Sequence, residues 1–360
     1  MRSVIHVITT ISRGGAENQL KVLVREQIKS GYKVEIFYLK DNPELSDSLE
    51  ALGAKVDHRL FGQNIFLQYL ILRRVVKQHD GVVHAHLPRA ELISTAATKG
   101  VGLIVSRHNA EPFFPGAPRI ASIFLSRYVE RHSKIVIAIS NAVSEFLLQS
   151  REIKNVGKLK VIYYGYDTDF IETKEKSPRL INTHFTVGTV ARLVPQKDFP
   201  TLLKAFQSFL TKFPDSRLLV VGTGVLEKQL IKLSEQLGIN EQVTWYGKTN
   251  DVNSLIQQMD LFVLPSKYEG FGLVLLEAVQ AGTPVIAARN SAIPEVLGTD
   301  SEGLFTTGNS DELFQKLVKF HDSSLRENLA DEQRTRLEIF NPAAMIKSMN
   351  KSYEDVMVKG

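Results

Sequence analysis

Two glutamates have the residue type and spacing that most directly suggest chemistry in this sequence. Glu269 and Glu277 lie eight positions apart in the stretch SKYEGFGLVLLEAVQAGTPVIA, residues 266–287. Glu277 stands among apolar residues, and burying an ionised carboxylate without a partner is strongly unfavourable. We therefore expect Glu277 to meet either a buried cation or a pair of ligand hydroxyls, such as a ribose diol.

The loop before Glu277 contains groups that could hold an anion. Gly270 and Gly272 lie between a buried strand and a helix that we expect to run from about residue 272 to 281. Glycines let the backbone approach a ligand closely, and the free N–H groups of a helix N-terminus attract anions. Glu269 is predicted to lie in this loop and to point toward the ligand.

A second loop carries two cations. Arg192 and Lys197 lie five positions apart in VGTVARLVPQKDFPTLL, directly after a predicted strand, and Asp198 is placed to cap the following helix. Two cations on one such loop could clamp a diphosphate and stabilise the charge that develops on a leaving group.

Two glycine pairs give weaker signals. Gly14 and Gly15 follow the first predicted strand and could bring a helix N-terminus to an anion, although a simple turn would explain them equally well. The dinucleotide fingerprint G-x-G-x-x-G is absent at this position. Gly222 and Gly224 fit a tight turn with close packing as well as they fit a phosphate contact.

The elements that must position these loops alternate between short β-branched runs and amphipathic helical stretches. Such alternation predicts parallel sheets covered by helices on both faces. The pattern runs once through the first half of the chain and then restarts. We expect two doubly wound, Rossmann-like α/β domains, one over residues 1–165 and one over 166–340, followed by a helix within 341–360. Strand-to-helix loops should line a cleft between the domains.

Composition narrows the class of protein. The 360 residues include no cysteine, so disulfides, thiolate metal sites and a cysteine nucleophile are excluded. No apolar run approaches the roughly 18 residues that span a bilayer, and the N-terminal residues are typical of a strand rather than a signal peptide. We expect a cytoplasmic protein. Residues 1–165 carry 23 Lys/Arg against 14 Asp/Glu, so the first half is basic and could face an anionic partner.

Taken together, these motifs give the chain a clear resemblance to the retaining GT-B glycosyltransferases of family four, which use nucleotide-activated sugars. The resemblance extends over essentially the whole chain, in family order and spacing. The matching elements are the Gly14-Gly15-Ala16-Glu17 turn, the Arg192 and Lys197 pair, the Gly222 to Gly224 turn, and the E-x7-E motif of Glu269 and Glu277 with Gly270-Phe271-Gly272-Leu273.

The resemblance implies a role for each matching residue. Arg192 and Lys197 would hold the donor diphosphate, and Glu277 would bind the ribose hydroxyls. Glu269 would contact the donor sugar and the phosphate together with backbone groups, which the family pattern assigns to Gly270, Phe271, Gly272 and Leu273. In the first domain Gly14 and Gly15 would approach the phosphate. His108, in VSRHNAEPFF, matches the family's histidine at the donor sugar.

Two possible metal motifs are not used in this interpretation. Asp167-Thr168-Asp169 is formally a DxD motif, but it falls in the predicted linker, where this chain also lacks the family's asparagine. His84 and His86 should point to one face of a strand, yet no third ligand of suitable spacing is visible. We therefore predict no metal and no cofactor, with the two cations stabilising the diphosphate instead.

The resemblance does not identify the acceptor. We expect a UDP- or GDP-linked donor and a glycan or lipid-linked acceptor, in bacterial surface polysaccharide synthesis. Residues 67–79 and 118–134 are apolar and basic. Such helices could bind the anionic inner face of the cell membrane or pack on the sheet. We favour packing for their apolar faces. No nucleic acid is expected. A nucleotide-sugar epimerase and a non-catalytic nucleotide-sugar-binding protein remain as alternatives.

Overall fold

The computed structural model describes residues 2–12, 14–40, 43–98, 102–166, 184–249 and 251–357. The chain divides into two compact units. Residues 1–166 and 340–360 form the first, and residues 167–339 form the second. The DxD-like residues Asp167 to Asp169 lie outside the described residues.

The first unit is built on a seven-stranded parallel sheet in the order β3-β2-β1-β4-β5-β6-β7. Its central strands consist almost entirely of buried residues, because helices cover both faces of a parallel sheet. The strands are β1 (Ser3–Ile8), β2 (Lys33–Tyr38), β3 (Lys55–Asp57), β4 (Val82–His86), β5 (Leu103–Arg107), β6 (Ile135–Ala138) and β7 (Leu159–Val161).

The helices of the first unit connect these strands, and the last one returns to the unit from the C-terminal end of the chain. They are α1 (Gly15–Lys29), α2 (Ser46–Ala51), α3 (Ile65–Val76), α4 (Pro88–Thr98), α5 (Arg119–His132), α6 (Asn141–Gln149) and α14 (Pro342–Met357). Helix α14 buries Met345, Met349 and Tyr353 in the core that α1, β1 and β2 share. The last helix is therefore an integral part of the first unit's core.

The second unit has a six-stranded parallel sheet in the order β10-β9-β8-β11-β12-β13. Phenylalanines of its first helix pack in the core. The strands are β8 (Thr186–Val190), β9 (Arg217–Val221), β10 (Val243–Gly247), β11 (Leu261–Leu264), β12 (Val285–Ala288) and β13 (Leu304–Phe305), and the helices are α7 (Phe199–Leu210), α8 (Glu227–Gln236), α9 (Val252–Ile256), α10 (Leu273–Gln280), α11 (Ile293–Leu297), α12 (Ser310–Lys319) and α13 (Ser323–Arg334).

In each sheet the strand order reverses at one position. From β8 the chain continues to β9 on one side, and later places β11 on the other side of β8. The corresponding reversal in the first sheet lies between β1 and β4. Loops diverge at such a switch point and leave a crevice beyond the carboxyl ends of the strands, where ligands bind in doubly wound folds. This position is the physical reason to look for a site after β8 and β11.

Candidate functional site

The loops after β8 and β11 carry the charged residues singled out from the sequence. Arg192 follows β8 by two positions and its side chain is exposed. Lys197 ends a short 3₁₀ turn over Pro195–Lys197, and Glu269 lies in the loop after β11. Within the described ranges no residue forms a hydrogen bond or ion pair with the Arg192 side chain.

Lys197 and Glu269 form an ion pair across the two loops. Lys197 Nζ lies 2.5 Å from Glu269 Oε1, and the two side chains are only 13% and 8% exposed. A largely buried charged pair of this geometry is a strong, charge-assisted hydrogen bond. The cation assigned to a diphosphate is therefore already held in place by the carboxylate assigned to the sugar.

Backbone hydrogen bonds join the same two loops. The Lys267 amide donates to the Gln196 carbonyl at 2.8 Å, and Gln196 Nε2 donates to the Tyr268 carbonyl at 2.8 Å. Asp198 stands at the N-cap of α7, as expected, but its side chain caps no backbone N–H. Its backbone is left-handed (φ 47°), and its carboxylate instead accepts a hydrogen bond from the Thr201 hydroxyl.

Gly222 and Gly224 pack against the β8 loop. A Cβ at Gly222 would lie 2.0 Å from the Ala191 carbonyl oxygen, and one at Gly224 would lie 2.3 Å from that of Leu193. No side chain fits at such distances, so both glycines let the β9 loop contact the backbone of the β8 loop directly. Of the two interpretations open from the sequence, the structure supports close packing.

Helix α10 begins where Gly270 and Gly272 predict it. Gly272 is its N-cap residue with φ of 88°, a left-handed conformation that side chains rarely adopt, and Leu273 is the first helical residue. Gly270 precedes Phe271, which is buried. This sequence brings the N-terminus of α10, with its unpaired N–H groups, close to the loop of Glu269.

Glu277 lies on the fifth residue of α10 and is half-buried. Among the described residues its carboxylate has neither a cation nor a hydrogen-bond donor as a partner. Burial raises the pKa of this carboxyl to about 7. The described residues therefore do not place a buried Arg or Lys beside Glu277, which was one of the two expectations.

In the first unit, Gly14 and Gly15 form the start of α1 after β1. Gly14 is the N-cap residue in an extended conformation, and no side chain caps the helix. A Cβ at Gly14 would lie 2.4 Å from Glu17 Oε2 of the first turn. The Glu17 carboxylate therefore lies directly beside Gly14 at the start of α1.

His108 follows β5 and lies within a buried polar network. Its Nε2 is 3.2 Å from His86 Nδ1, and its Nδ1 contacts the Tyr164 hydroxyl. Burial, with a smaller effect of the Arg107 charge, lowers the pKa of His108 to about 3, so the ring is neutral at physiological pH. Both ring nitrogens are thus engaged within the first unit.

Arg107 anchors the loop that carries His108, and sequence reasoning missed it. Its Nε lies 2.7 Å from Glu91 Oε2, its Nη1 lies 3.5 Å from Glu152 Oε2, and its guanidinium stacks on Phe113. All three charged side chains are buried, and burial raises the pKa of Glu91 to about 7. In the sequence this cluster shows only as an arginine and two glutamates within apolar elements. Their spacing does not indicate that they meet in the fold.

The interpretation of His84 and His86 needs a correction. The expectation that no third ligand accompanies them is wrong, because His6 on β1 lies beside them, with one ring nitrogen of each of the three within 4.8 Å of the others. The register pairs His6 with His84, and parallel pairing between β1 and β4 was the signal that could have found it. Every ring nitrogen of these histidines nevertheless has a hydrogen-bond partner already.

The apolar faces of the two basic helices also differ from expectation. Packing was favoured, yet on α5 Ile120 is 84% and Phe124 71% exposed, and on α3 Ile65 and Phe66 are similarly exposed. Arg119 and other exposed cations lie beside them. Helices α3 and α5 both pack against α4 and so lie on the same side of the sheet. None of the described helices has the length and apolarity to cross a bilayer.

Comparisons with known proteins agree with this architecture. Residues 13–170 match the family model described as Glycosyltransferase Family 4, and residues 170–336 match that of Glycosyl transferases group 1. The chain is 24% identical to sulfoquinovosyl transferase SQD2 of Arabidopsis thaliana over 94% of its own length and 70% of that protein. It is 26% identical to the capsular polysaccharide biosynthesis glycosyltransferase CapM of Staphylococcus aureus over 73% of each chain.

A solved structure shows the same fold. The crystal structure of HepE from Anabaena in complex with UDP aligns over 99% of this chain and 100% of that chain with a TM-score of 0.83, at 21% sequence identity. Two tandem Rossmann-like domains with parallel sheets of seven and six strands define the GT-B fold. The two family models follow one another along nearly the whole chain, and the protein belongs to the group 1 glycosyltransferases of family four.

Proposed function

We propose that the protein transfers a sugar from a nucleoside diphosphate sugar, with retention at the anomeric carbon and without a metal ion. The observation that carries this proposal is the convergence after β8 and β11 of an exposed arginine, a lysine–glutamate pair and an unpartnered carboxylate. A nucleoside diphosphate at the switch point, next to a helix N-terminus, would pair its phosphates with the two cations and its ribose hydroxyls with the carboxylate.

The diphosphate is assigned to Arg192 and Lys197. Arg192 is exposed, so its guanidinium can bind a phosphate bidentately at little desolvation cost. Lys197 can share its ammonium between Glu269 and a phosphate oxygen because it carries three donors. When the bond from the sugar to the diphosphate breaks, these two cations stabilise the negative charge on the departing diphosphate.

The ribose is assigned to Glu277. Two vicinal hydroxyls would donate to the two oxygens of this carboxylate and so supply the partners that it lacks among the described residues. The ligand then favours the ionised form, which burial disfavours. UDP is the nucleotide to test first, since the HepE structure named above contains UDP.

The donor sugar is assigned to Glu269, the backbone of residues 270–273 and, from the first unit, His108. Gly14 and Gly15 are proposed to approach the phosphates. The family resemblance supports these assignments, together with the neutral state that burial imposes on the His108 ring.

The acceptor is proposed to be a lipid-linked glycan that the first unit meets at an anionic membrane surface. Large apolar side chains on α3 and α5 are exposed to solvent next to arginines, the combination that partitions into a headgroup region. The similarity to CapM, a glycosyltransferase of capsular polysaccharide biosynthesis, supports a role in surface polysaccharide synthesis.

A transfer assay tests the proposed reaction. Wild-type protein is incubated with UDP- and GDP-sugars and a short-chain polyprenyl-diphosphate glycan, with and without EDTA, and the product's anomeric configuration is read by NMR. The account expects a retained product whose yield EDTA does not change. An inverted product, or activity that EDTA abolishes, would contradict it.

The same assay separates the alternatives. A nucleotide-sugar epimerase would convert the donor without an acceptor, and a non-catalytic binding protein would leave the donor intact. We favour the transferase because the chain carries the E-x7-E motif of Glu269 and Glu277.

Vesicle binding tests the membrane contact. Ile120 and Phe124 are replaced together by serine, and sedimentation with vesicles containing phosphatidylglycerol is measured. Val225→Ser, an equally exposed apolar residue of the second unit, is the control. The double variant should bind about tenfold or more weakly, since two large side chains lose their burial. Equal binding of all three proteins would contradict the membrane assignment.

A further inference from the structure

A continuous hydrogen-bonded network runs through the core of the first unit, and the proposed mechanism uses only its last member. It contains His6, His84, His86 and His108, joined by Gln27 of α1 and Tyr353 of α14. We call it the histidine network. Its six side chains come from β1, α1, β4, the loop after β5 and α14, and they are buried or nearly so.

Gln27 stands where the network branches. Its Oε1 lies 2.9 Å from His6 Nε2, and its Nε2 donates to the Tyr353 hydroxyl at 2.8 Å. Because an amide oxygen only accepts, His6 must carry its proton on Nε2. Because the Tyr353 oxygen accepts from Gln27, its own proton is directed to His84 Nδ1, which lies 2.8 Å away.

The remaining protons follow from these two. His6 Nδ1 is an acceptor, so His86 must donate to it from Nε2 across 2.9 Å. His86 Nδ1 in turn accepts from His108 Nε2 at 3.2 Å, which leaves His108 Nδ1 as an acceptor. On the other branch, His84 donates from Nε2 to Ser106 Oγ at 2.8 Å.

We propose that Gln27 and Tyr353 are positioning residues that fix His108 as its Nε2–H tautomer, with Nδ1 as a hydrogen-bond acceptor. Reversing the Gln27 amide would reverse every bond of the network, so a single side-chain orientation sets all four tautomers. The C-terminal helix thereby acts on His108 through Tyr353, four side chains away along the hydrogen-bonded chain.

A consequence follows for the donor sugar, which rests on the proposed role of His108. In this tautomer His108 Nδ1 would accept a hydrogen bond from a sugar hydroxyl in the place that the Tyr164 hydroxyl now occupies. It could not donate one from that nitrogen. Burial lowers the pKa of each histidine of the network, which agrees with four neutral rings.

The test is ¹⁵N NMR of the ligand-free protein labelled at histidine, because ring nitrogen shifts report each tautomer directly. Wild-type protein at pH 7.5 should show His6, His84, His86 and His108 as single Nε2–H tautomers. Tyr353→Phe keeps the ring but removes the hydroxyl, so Gln27 becomes free to reverse and His108 should become a mixture of tautomers. Tyr32→Phe is the matched control, since Tyr32 packs against Tyr353 outside the network.

The outcomes separate this inference from the proposed function. An Nδ1–H tautomer at His108 in the wild type, or an unchanged single tautomer in Tyr353→Phe, would overturn it. If Tyr353→Phe does not fold, the wild-type tautomers alone decide. UDP binding and transfer by the wild type test the proposed function separately. Where transfer is observed, Tyr353→Phe should lower kcat about tenfold, as expected for one lost hydrogen bond, with UDP affinity unchanged.

Discussion

The histidine network of the first unit and Glu277 of the second differ in whether their buried polar atoms have partners. In the first unit, four histidines satisfy one another through Gln27 and Tyr353, so each ring nitrogen has a partner. In the second unit, Glu277 has no partner among the described residues, although burial disfavours its charge. The first arrangement is complete without a ligand, and the second requires one.

This difference indicates where binding energy is stored. An unpaired buried carboxylate destabilises the ligand-free protein, and a ligand that supplies donors recovers that free energy on binding. A network whose polar atoms already have partners gains no such free energy when a ligand binds, but it holds its side chains in one geometry. We therefore place donor recognition in the second unit and positioning in the first.

The largest expected effect is acid sensitivity of the first unit. Burial depresses the folded-state pKa of the four histidines in the histidine network, so the associated stability is present above the unfolded value of about 6.5 and is lost as pH falls through the folded values, about 4 for His6 and about 3 for His108. Between pH 7.5 and pH 5 the loss of stability should be about 2 kcal/mol for each of His6 and His108. Glu91, whose pKa is raised to about 7, and Glu152, whose pKa is also raised by burial, act in the opposite direction.

Urea unfolding at pH 7.5 and 5.0 measures the effect. Circular dichroism follows both units, while the chain's single tryptophan, Trp245, reports only the second. The comparison predicts that the transition of the first unit moves to lower urea much further than the Trp245 transition. Equal shifts of the two transitions would contradict it.

In the second unit we expect a smaller change in the free energy of unfolding, with the opposite dependence on pH. The pKa of Glu277 is raised above its unfolded value, so the associated stability is present below about 4.5 and is lost as pH rises through about 7. Glu277→Gln removes the charge and should stabilise the second unit by about 1–3 kcal/mol at pH 8, while weakening UDP binding.

The measurement is Trp245-monitored urea unfolding at pH 8 and pH 4.5, with Glu235→Gln on the exposed face of α8 as control. The stabilisation should disappear at the lower pH and be absent from the control. A destabilised Glu277→Gln at pH 8 would show that the carboxylate already has a partner.

The smallest effect concerns the ion pair between the β8 and β11 loops. Glu269→Gln removes a negative charge near the proposed diphosphate and releases Lys197 from its partner. UDP should then bind about two- to fivefold more tightly, although transfer is lost with the sugar contact. Calorimetric UDP titration checks this, with the exposed Glu241→Gln as control, and weaker UDP binding by Glu269→Gln would contradict it.

The fold could be predicted from the sequence because its parallel strands are almost wholly apolar and strongly β-branched. The helix expected from about residue 272 to 281 is α10, which runs over Leu273–Gln280. Short edge strands such as β3 and β13 gave no signal, since two or three residues show no periodicity. Strand order, and with it the approach of His6 to His84, depends on long-range pairing that local patterns do not encode.

The candidate site was partly predictable for a related reason. Arg192, Lys197 and Glu269 lie in loops at the carboxyl ends of strands, so position in a doubly wound fold brings them to one sheet edge. The pairing of Lys197 with Glu269 could not be predicted, because it depends on rotamers across two loops. The exposure of Ile120 and Phe124 was missed, because an amphipathic pattern does not tell a packed face from a solvent-exposed one.

Calorimetric titration of UDP into wild type, Lys197→Ala and Lys204→Ala tests the central claim most directly. Lys204 is an exposed lysine of α7, so its variant makes the same change of charge away from the site. The account predicts that wild type and Lys204→Ala bind UDP alike, and that Lys197→Ala loses about 1.5–3 kcal/mol with its charge-assisted phosphate contact. Equal binding by Lys197→Ala would contradict the placement of the diphosphate after β8 and β11.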